Sequence, residues 1–120
     1  MEDFVTYEQA VKLKELGFDW ECNHLYSHRS SIDFNDSCYY HDFNTTDSSN
    51  DYSAPTLAQA QKWLREVKET EVIVHKINDS IYNYTIYGQL VNLTTKTIFD
   101  TYEQALSAGI DKALELLKEE

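Results

Sequence analysis

The stretch Glu71–Leu90, EVIVHKINDSIYNYTIYGQL, decides the fold of this chain. Glu71–Ile77 alternates and is rich in β-branched residues, and Asn78, Asp79 and Ser80 form a turn signal. Ile81–Leu90 then alternates again, with Tyr82, Tyr84 and Ile86 on one side. A period of two sends successive side chains to opposite faces of a sheet, so the stretch predicts an antiparallel hairpin. Asn92–Thr95 supplies a second turn signal and Lys96–Phe99 a short closing strand, which extends the hairpin to a meander. Gly88, inside the longer strand, is the expected position of a bulge.

On both sides of this meander the period becomes helical, and each helix is announced by one phrase. Thr6–Ala10 reads TYEQA, Thr101–Ala105 repeats it letter for letter, and Thr56–Ala60 reads TLAQA. A threonine with glutamine three residues later is a capping box. The hydroxyl accepts from the third helical N–H while the glutamine amide returns to the threonine N–H. Helix one is therefore expected from Thr6 to Leu16, with Tyr7, Ala10, Val11 and Leu16 on its apolar side and Lys12, Lys14 and Glu15 in water. Gly17 stands where a left-handed residue ends a helix, and Phe18 can fold back in a Schellman contact. Helix two comes after Pro55, from Thr56 to Lys68, with Leu57, Ala60, Leu64 and Val67 as a core stripe and Trp63 at its edge. Helix three runs from Thr101 to Lys118 and buries Leu106, Ile110, Ala113, Leu114 and Leu117. Gly109 within it costs about 1 kcal/mol relative to alanine, which points to close packing against a neighbour.

Residues 19–53 carry weaker patterns. Trp20–Ser27 and Cys38–Phe43 are expected as strands joined by the polar segment Ser30–Ser37, and Asn44–Ser53 is read as a loop. The resulting order is α-β-β-α-β-β-β-α. It predicts an α+β domain of 120 residues, with an antiparallel sheet of four to five strands and three helices mainly on one of its faces. The segments downstream of the first and third capping phrases do not correspond, so the copies are separate caps and not a structural repeat.

Composition narrows the function classes. The net charge is −11 and uneven: residues 1–53 hold three Lys/Arg against eleven Asp/Glu, and residues 54–120 hold seven against ten. No Lys or Arg occurs from Ser30 to Gln61. Phosphate backbones and anionic membranes are bound mainly by such cations, so direct binding to either is not expected, and a cationic partner, or simply solubility, suits the charge better. The opening Met1, Glu2 and Asp3 give no signal-peptide pattern, and there is no apolar run of membrane length, so a cytoplasmic location is expected. Two cysteines make no disulfide framework. The Asn-x-Ser/Thr triplets at Asn35, Asn44, Asn78, Asn83 and Asn92 read as turn-rich sequence.

Several constellations could carry chemistry. Cys22, His24, His28, Cys38 and His41 fall within twenty residues, and Cys22, His24, Cys38 and His41 could supply a tetrahedral zinc set. They lack a Cys-x-x-Cys knuckle, so the spacing favours buried thiols and surface imidazoles, with no metal or other cofactor. A calcium loop from Asp33 would need glycine where Cys38 stands and glutamate where Asn44 stands; one from Asp42 meets Asp47 and Ser53. No nucleophile elbow, phosphate loop or dinucleotide fingerprint occurs, and no enzymatic activity is expected. Nine tyrosines remain. Tyr82, Tyr84 and Tyr87 lie on the central strand, where alternation favours cross-strand packing, and Tyr39 and Tyr40 adjoin the acidic stretch. The expected protein-contact residues are Asp33, Asp36, Tyr39, Tyr40, Asp42, Asp47 and Asp51.

Three blocks, Phe4–Asp19 (FVTYEQAVKLKELGFD), Tyr52–Glu66 (YSAPTLAQAQKWLRE) and Thr101–Leu117 (TYEQALSAGIDKALELL), resemble a group of small uncharacterised proteins carried by phages, prophages and mobile elements of gut Bacteroidales. The blocks cover roughly 40% of the chain, and their motifs are helix starts. The resemblance implies an intracellular accessory protein and brings no catalytic or ligand-binding residues with it. The sequence thus predicts a small acidic accessory protein, monomer or homodimer, that acts by contact with another protein. The alternatives are a Cys/His metal protein or small enzyme, and an acidic mimic of DNA that occupies a nucleic-acid-binding protein.

Overall fold

The computed structural model describes residues 3–22, 24–27, 31–34, 52–88 and 92–118. The chain is α+β and falls into two compact units, Met1–Thr56 and Leu57–Glu120.

The first unit begins with α1 (Tyr7–Glu15). Its capping box is complete: the Gln9 N–H donates to Thr6 Oγ1 at 3.1 Å, and the Thr6 N–H donates to Gln9 Oε1 at 2.8 Å. The helix stops as its sequence dictates. Gly17 adopts φ +94°, the Phe18 N–H reaches Leu13 O at 2.9 Å, and the Gly17 N–H reaches Lys14 O at 3.1 Å. These two bonds are the Schellman pair. The buried side of α1 is Gln9, Ala10 and Leu13, whereas Val11 and Leu16 are only half-buried. Gln9 is buried with its Oε1 bound to the Thr6 N–H.

Strands β1 (His24–Ser27), β2 (Ser31–Phe34) and β3 (Tyr52–Ser53) form an antiparallel sheet in the order β2-β1-β3. Ser31–Phe34, expected within a polar connection, is a strand paired to β1 from Ser27↔Ser31 to His24↔Phe34. Its alternation of Ser31, Ile32, Asp33 and Phe34 has a period of two that its polar flanks conceal. Tyr52–Ser53, expected as loop, pairs with Tyr26 and Leu25. The expected strand Cys38–Phe43 and the loop Asn44–Asp51 lie outside the described residues.

Rings and one hydroxyl tie the unit together. Tyr7 meets Tyr26 and Tyr52 edge-on at 5.7 and 5.6 Å, and the Tyr26 hydroxyl donates to Val5 O at 2.7 Å. Lys14 lies 4.9 Å over the Tyr52 ring. Burial raises the pKa of the Tyr26 phenol, with the Glu8 charge adding to the effect.

In the second unit α2 (Leu57–Val67) and α3 (Tyr102–Lys118) pack on a second antiparallel sheet, β4-β5-β6, of β4 (Glu71–Asn78), β5 (Ile81–Tyr87) and β6 (Asn92–Thr94). The described strands therefore form two three-stranded sheets in place of the single larger sheet expected. The closing strand is Asn92–Thr94, a segment whose composition reads as a turn, while Phe99 forms a single bridge to Tyr82. The register shift falls between Lys76 and Asn78 on β4, not at Gly88, which lies just past the end of β5.

Val72, Tyr84 and Ile86 form the sheet's inner face, all buried beneath the helices. From α3 come Ala105, Leu106, Gly109, Ile110, Ala113 and Leu114. The expected close packing at Gly109 is present: a Cβ there would sit 2.6 Å from Val72 Cγ1 and 3.1 Å from Tyr84 Cγ. On α2 the expected stripe holds at Leu57, Ala60 and Leu64, all buried, but Val67 is 49% exposed and Trp63, expected at the edge, is fully buried. The helix ends at Val67 and the chain turns through Glu69 at φ 53°, so the last turn leaves the core. The cap of α3 is a variant. The Gln104 N–H donates to Thr101 Oγ1, but Gln104 Oε1 accepts from the Asp100 N–H, one residue further back.

Candidate interaction surface

Of the seven contact residues expected from sequence, Asp33 lies on β2 opposite Leu25. Asp36, Tyr39, Tyr40, Asp42, Asp47 and Asp51 lie outside the described residues. Of the possible zinc ligands, Cys22 is buried and His24 opens β1, while His28, Cys38 and His41 are likewise outside. Among the described residues no three His, Cys, Asp or Glu side chains gather as a metal site would require.

The described structure instead presents a sheet face that sequence reasoning did not single out. Because Val72, Tyr84 and Ile86 point to the helices, alternation sends Glu71, Ile73 and His75 of β4, Asn83, Thr85 and Tyr87 of β5, and Asn92 and Thr94 of β6 to the opposite face. His75, Tyr87, Asn92 and Thr94 are exposed, Tyr87 to 44%. This face is polar and aromatic, with the Glu71 carboxylate at its rim.

Its side chains are held in place by one another. His75 Nε2 lies 2.9 Å from Thr85 Oγ1, which lies 2.9 Å from Thr94 Oγ1. A hydroxyl both donates and accepts, so the three groups form a relay in either direction and suit either tautomer of His75. Thr85, at the centre, is only 4% exposed. Beside it, opposite His75, the Asn83 Oδ1 atom is buried with no hydrogen-bond partner among the described residues.

At the end of this face a shallow depression is lined by Arg65, Glu69, Glu71, Tyr87 and Gly88. Arg65 and Glu71 stand 4.0 Å apart, each about 43% exposed, a solvent-screened pair at the rim. The sequence signal for the surface was present in outline, since the residues between Tyr82, Tyr84 and Ile86 must face away from them. Periodicity cannot show, however, that His75, Thr85 and Thr94 come into register across three strands. Among the described residues no helix is long and apolar enough to cross a membrane. No protein-family model, curated protein or solved structure matches the chain.

Proposed function

We propose that this chain is a small acidic accessory protein, of the phage or mobile-element type, that acts by docking on another protein. The observation that carries this reading is the face of β4-β5-β6 opposite the helices, on which His75, Tyr87, Asn92 and Thr94 are exposed. One side of the sheet is clad by two helices, and the other displays Tyr87, His75, Asn83 and Thr94, with a hydrogen-bonded relay at its centre. Such a surface loses little side-chain entropy on binding, and tyrosine with amide and hydroxyl groups is the chemistry of protein contact regions.

The acidic stretch contributes at longer range. Asp33, Asp36, Asp42, Asp47 and Asp51, in a segment without lysine or arginine, attract a basic partner and speed the encounter. The cytoplasm is the compartment in which such a protein would meet its partner.

Affinity capture from the producing cells tests this assignment. The pair Tyr87→Ala and Asn92→Lys abolishes capture with little change in thermal stability, because both side chains are exposed and neither belongs to the relay. Reversing the five aspartates to lysine slows association and weakens its dependence on salt. Capture that survives both sets of substitutions would refute the assignment.

A further inference from the structure

We infer that Gln61 of α2 holds the outer edge of β4 closed to strand addition, and that uncovering the Val72 carbonyl turns this edge into a site of self-association. The inference is independent of the docking face, because it rests on backbone groups at the sheet's edge.

The hazard lies in β4 itself. Val72, Ile73 and Val74 are consecutive β-branched residues, and Val72–Ile77 holds no proline or glycine. A segment of that kind along an open edge recruits further strands. Among the described residues β4 is paired on one side only, to β5. The far side of β5 is filled. β6 pairs with Thr85, Ile86 and Tyr87, and Tyr84 O accepts from the Thr95 N–H. The Tyr82 N–H donates to Phe99 O, and the Phe99 N–H donates to Tyr82 O. At that side of the described sheet β6 is three residues long, whereas β4 has eight. The long edge is β4.

The same bonds fix which groups of β4 point outward. Tyr82 and Tyr84 turn their backbone groups toward the β6 side. By alternation Asn83, Thr85 and Tyr87 turn theirs toward β4, to His75, Ile73 and Glu71. That leaves Val72, Val74 and Lys76 directed away from the sheet.

Both ends of this outward row are guarded. Gln61 Nε2 donates to Val72 O at 2.6 Å, so the first outward carbonyl is already bound within the chain. One helical turn further on, Arg65 stands 4.0 Å from the Glu71 carboxylate, so two side chains of α2 reach the start of the strand. At the other end Lys76 is exposed, and the register shift between Lys76 and Asn78 interrupts the ladder. A lysine and a bulge both discourage pairing at an edge. Glu71 and Lys76 also bracket the β-branched run with charge. An incoming antiparallel strand needs the N–H and C=O of alternate residues. With Val72 O bound and the ladder broken after Lys76, the row is too short to hold one. Gln61 is the guard that can be removed without altering the strand.

The test compares Lys76→Thr with the double variant Gln61→Leu, Lys76→Thr, so that only the amide differs between them. Leucine keeps the helix propensity of glutamine and removes the donor. Sedimentation velocity from about 10 µM to about 1 mM protein reads self-association, which Gln61→Leu should tighten by about tenfold or more. Far-UV circular dichroism should stay native, and the Val74 and Lys76 amides of the double variant should exchange more slowly as concentration rises. In the unmodified chain the exchange of those two amides should not depend on concentration. Equal association of the two variants overturns the inference. So does association with loss of the native dichroism, or without slowing of those amides. An unmodified chain whose Val74 and Lys76 amides slow with concentration overturns it as well, since its edge would already be open.

Discussion

The two units of this chain solve the same problem with different materials. The first encloses its core with polar-tipped rings: Tyr7 edge-on to Tyr26 and Tyr52, and the Tyr26 hydroxyl bound to Val5 O. The second packs a helix against its sheet at close range, with Trp63, Leu64, Ile110 and Leu114 fully buried and Gly109 pressed against Val72 and Tyr84. The first therefore depends on the protonation of a phenol and the second on volume. The contrast extends to their surfaces. The first carries most of the negative charge, and the second carries the hydrogen-bonded sheet face to which docking is assigned.

Trp63→Ala challenges the volume-dependent unit most severely. Removing a fully buried indole costs about 3–5 kcal/mol, a large share of a small domain's stability, and chemical denaturation measures it. Gly109→Ala comes next. Alanine would raise helix propensity by about 1 kcal/mol, yet its Cβ would lie 2.6 Å from Val72 Cγ1, and the β-branched Val72 has little freedom to move. The net expectation is a loss of about 1–3 kcal/mol. A double-mutant cycle with Val72→Ala should recover part of it; additive losses would show that the close approach is not the cause.

In the first unit the effects are smaller and respond to pH. Tyr26→Phe deletes the bond to Val5 O and leaves a buried carbonyl without that donor, at about 1–2 kcal/mol. The folded Tyr26 phenol titrates above its unfolded value, so the folded state holds the proton more tightly. Its contribution is complete below about pH 10 and is lost as pH rises through the folded pKa. The Tyr26→Phe protein should therefore lose less stability than the parent on alkaline titration. The smallest difference is between caps: Thr6→Ala removes a reciprocal box at about 1 kcal/mol, and Thr101→Ala, where the glutamine serves Asp100 instead, costs less.

How much of this was legible in the sequence depended on the range of the interaction that fixed it. Thr6, Gly17 and Phe18 act within one or two turns of chain, and α1 starts and stops where they specify. Glu71–Ile77 and Ile81–Tyr87 pair as their alternation requires, and Gly109 approaches the sheet as its cost implied. Local signals mislead where a distant partner decides. Asn92–Thr94 is a strand because Leu93 and Thr94 find Ile86 and Thr85 across the sheet, against the local turn preference of its asparagine and threonine. Tyr52–Ser53 is recruited by β1 in the same way. Val67, in the last turn of α2, is exposed, whereas Trp63, expected at the edge of the stripe, is fully buried. The candidate surface was hidden for the same reason, since His75, Thr85 and Thr94 belong to three strands and share no motif.

A photo-crosslinking aromatic residue placed at position 87 in the producing cells probes the docking face itself, with position 84 as the buried control. The two sites are three residues apart on β5 and lie on opposite faces of the sheet. Position 87 should capture one heterologous protein and position 84 none. Capture from position 84 alone, or from neither position, would contradict the proposal that docking uses the sheet face opposite the helices.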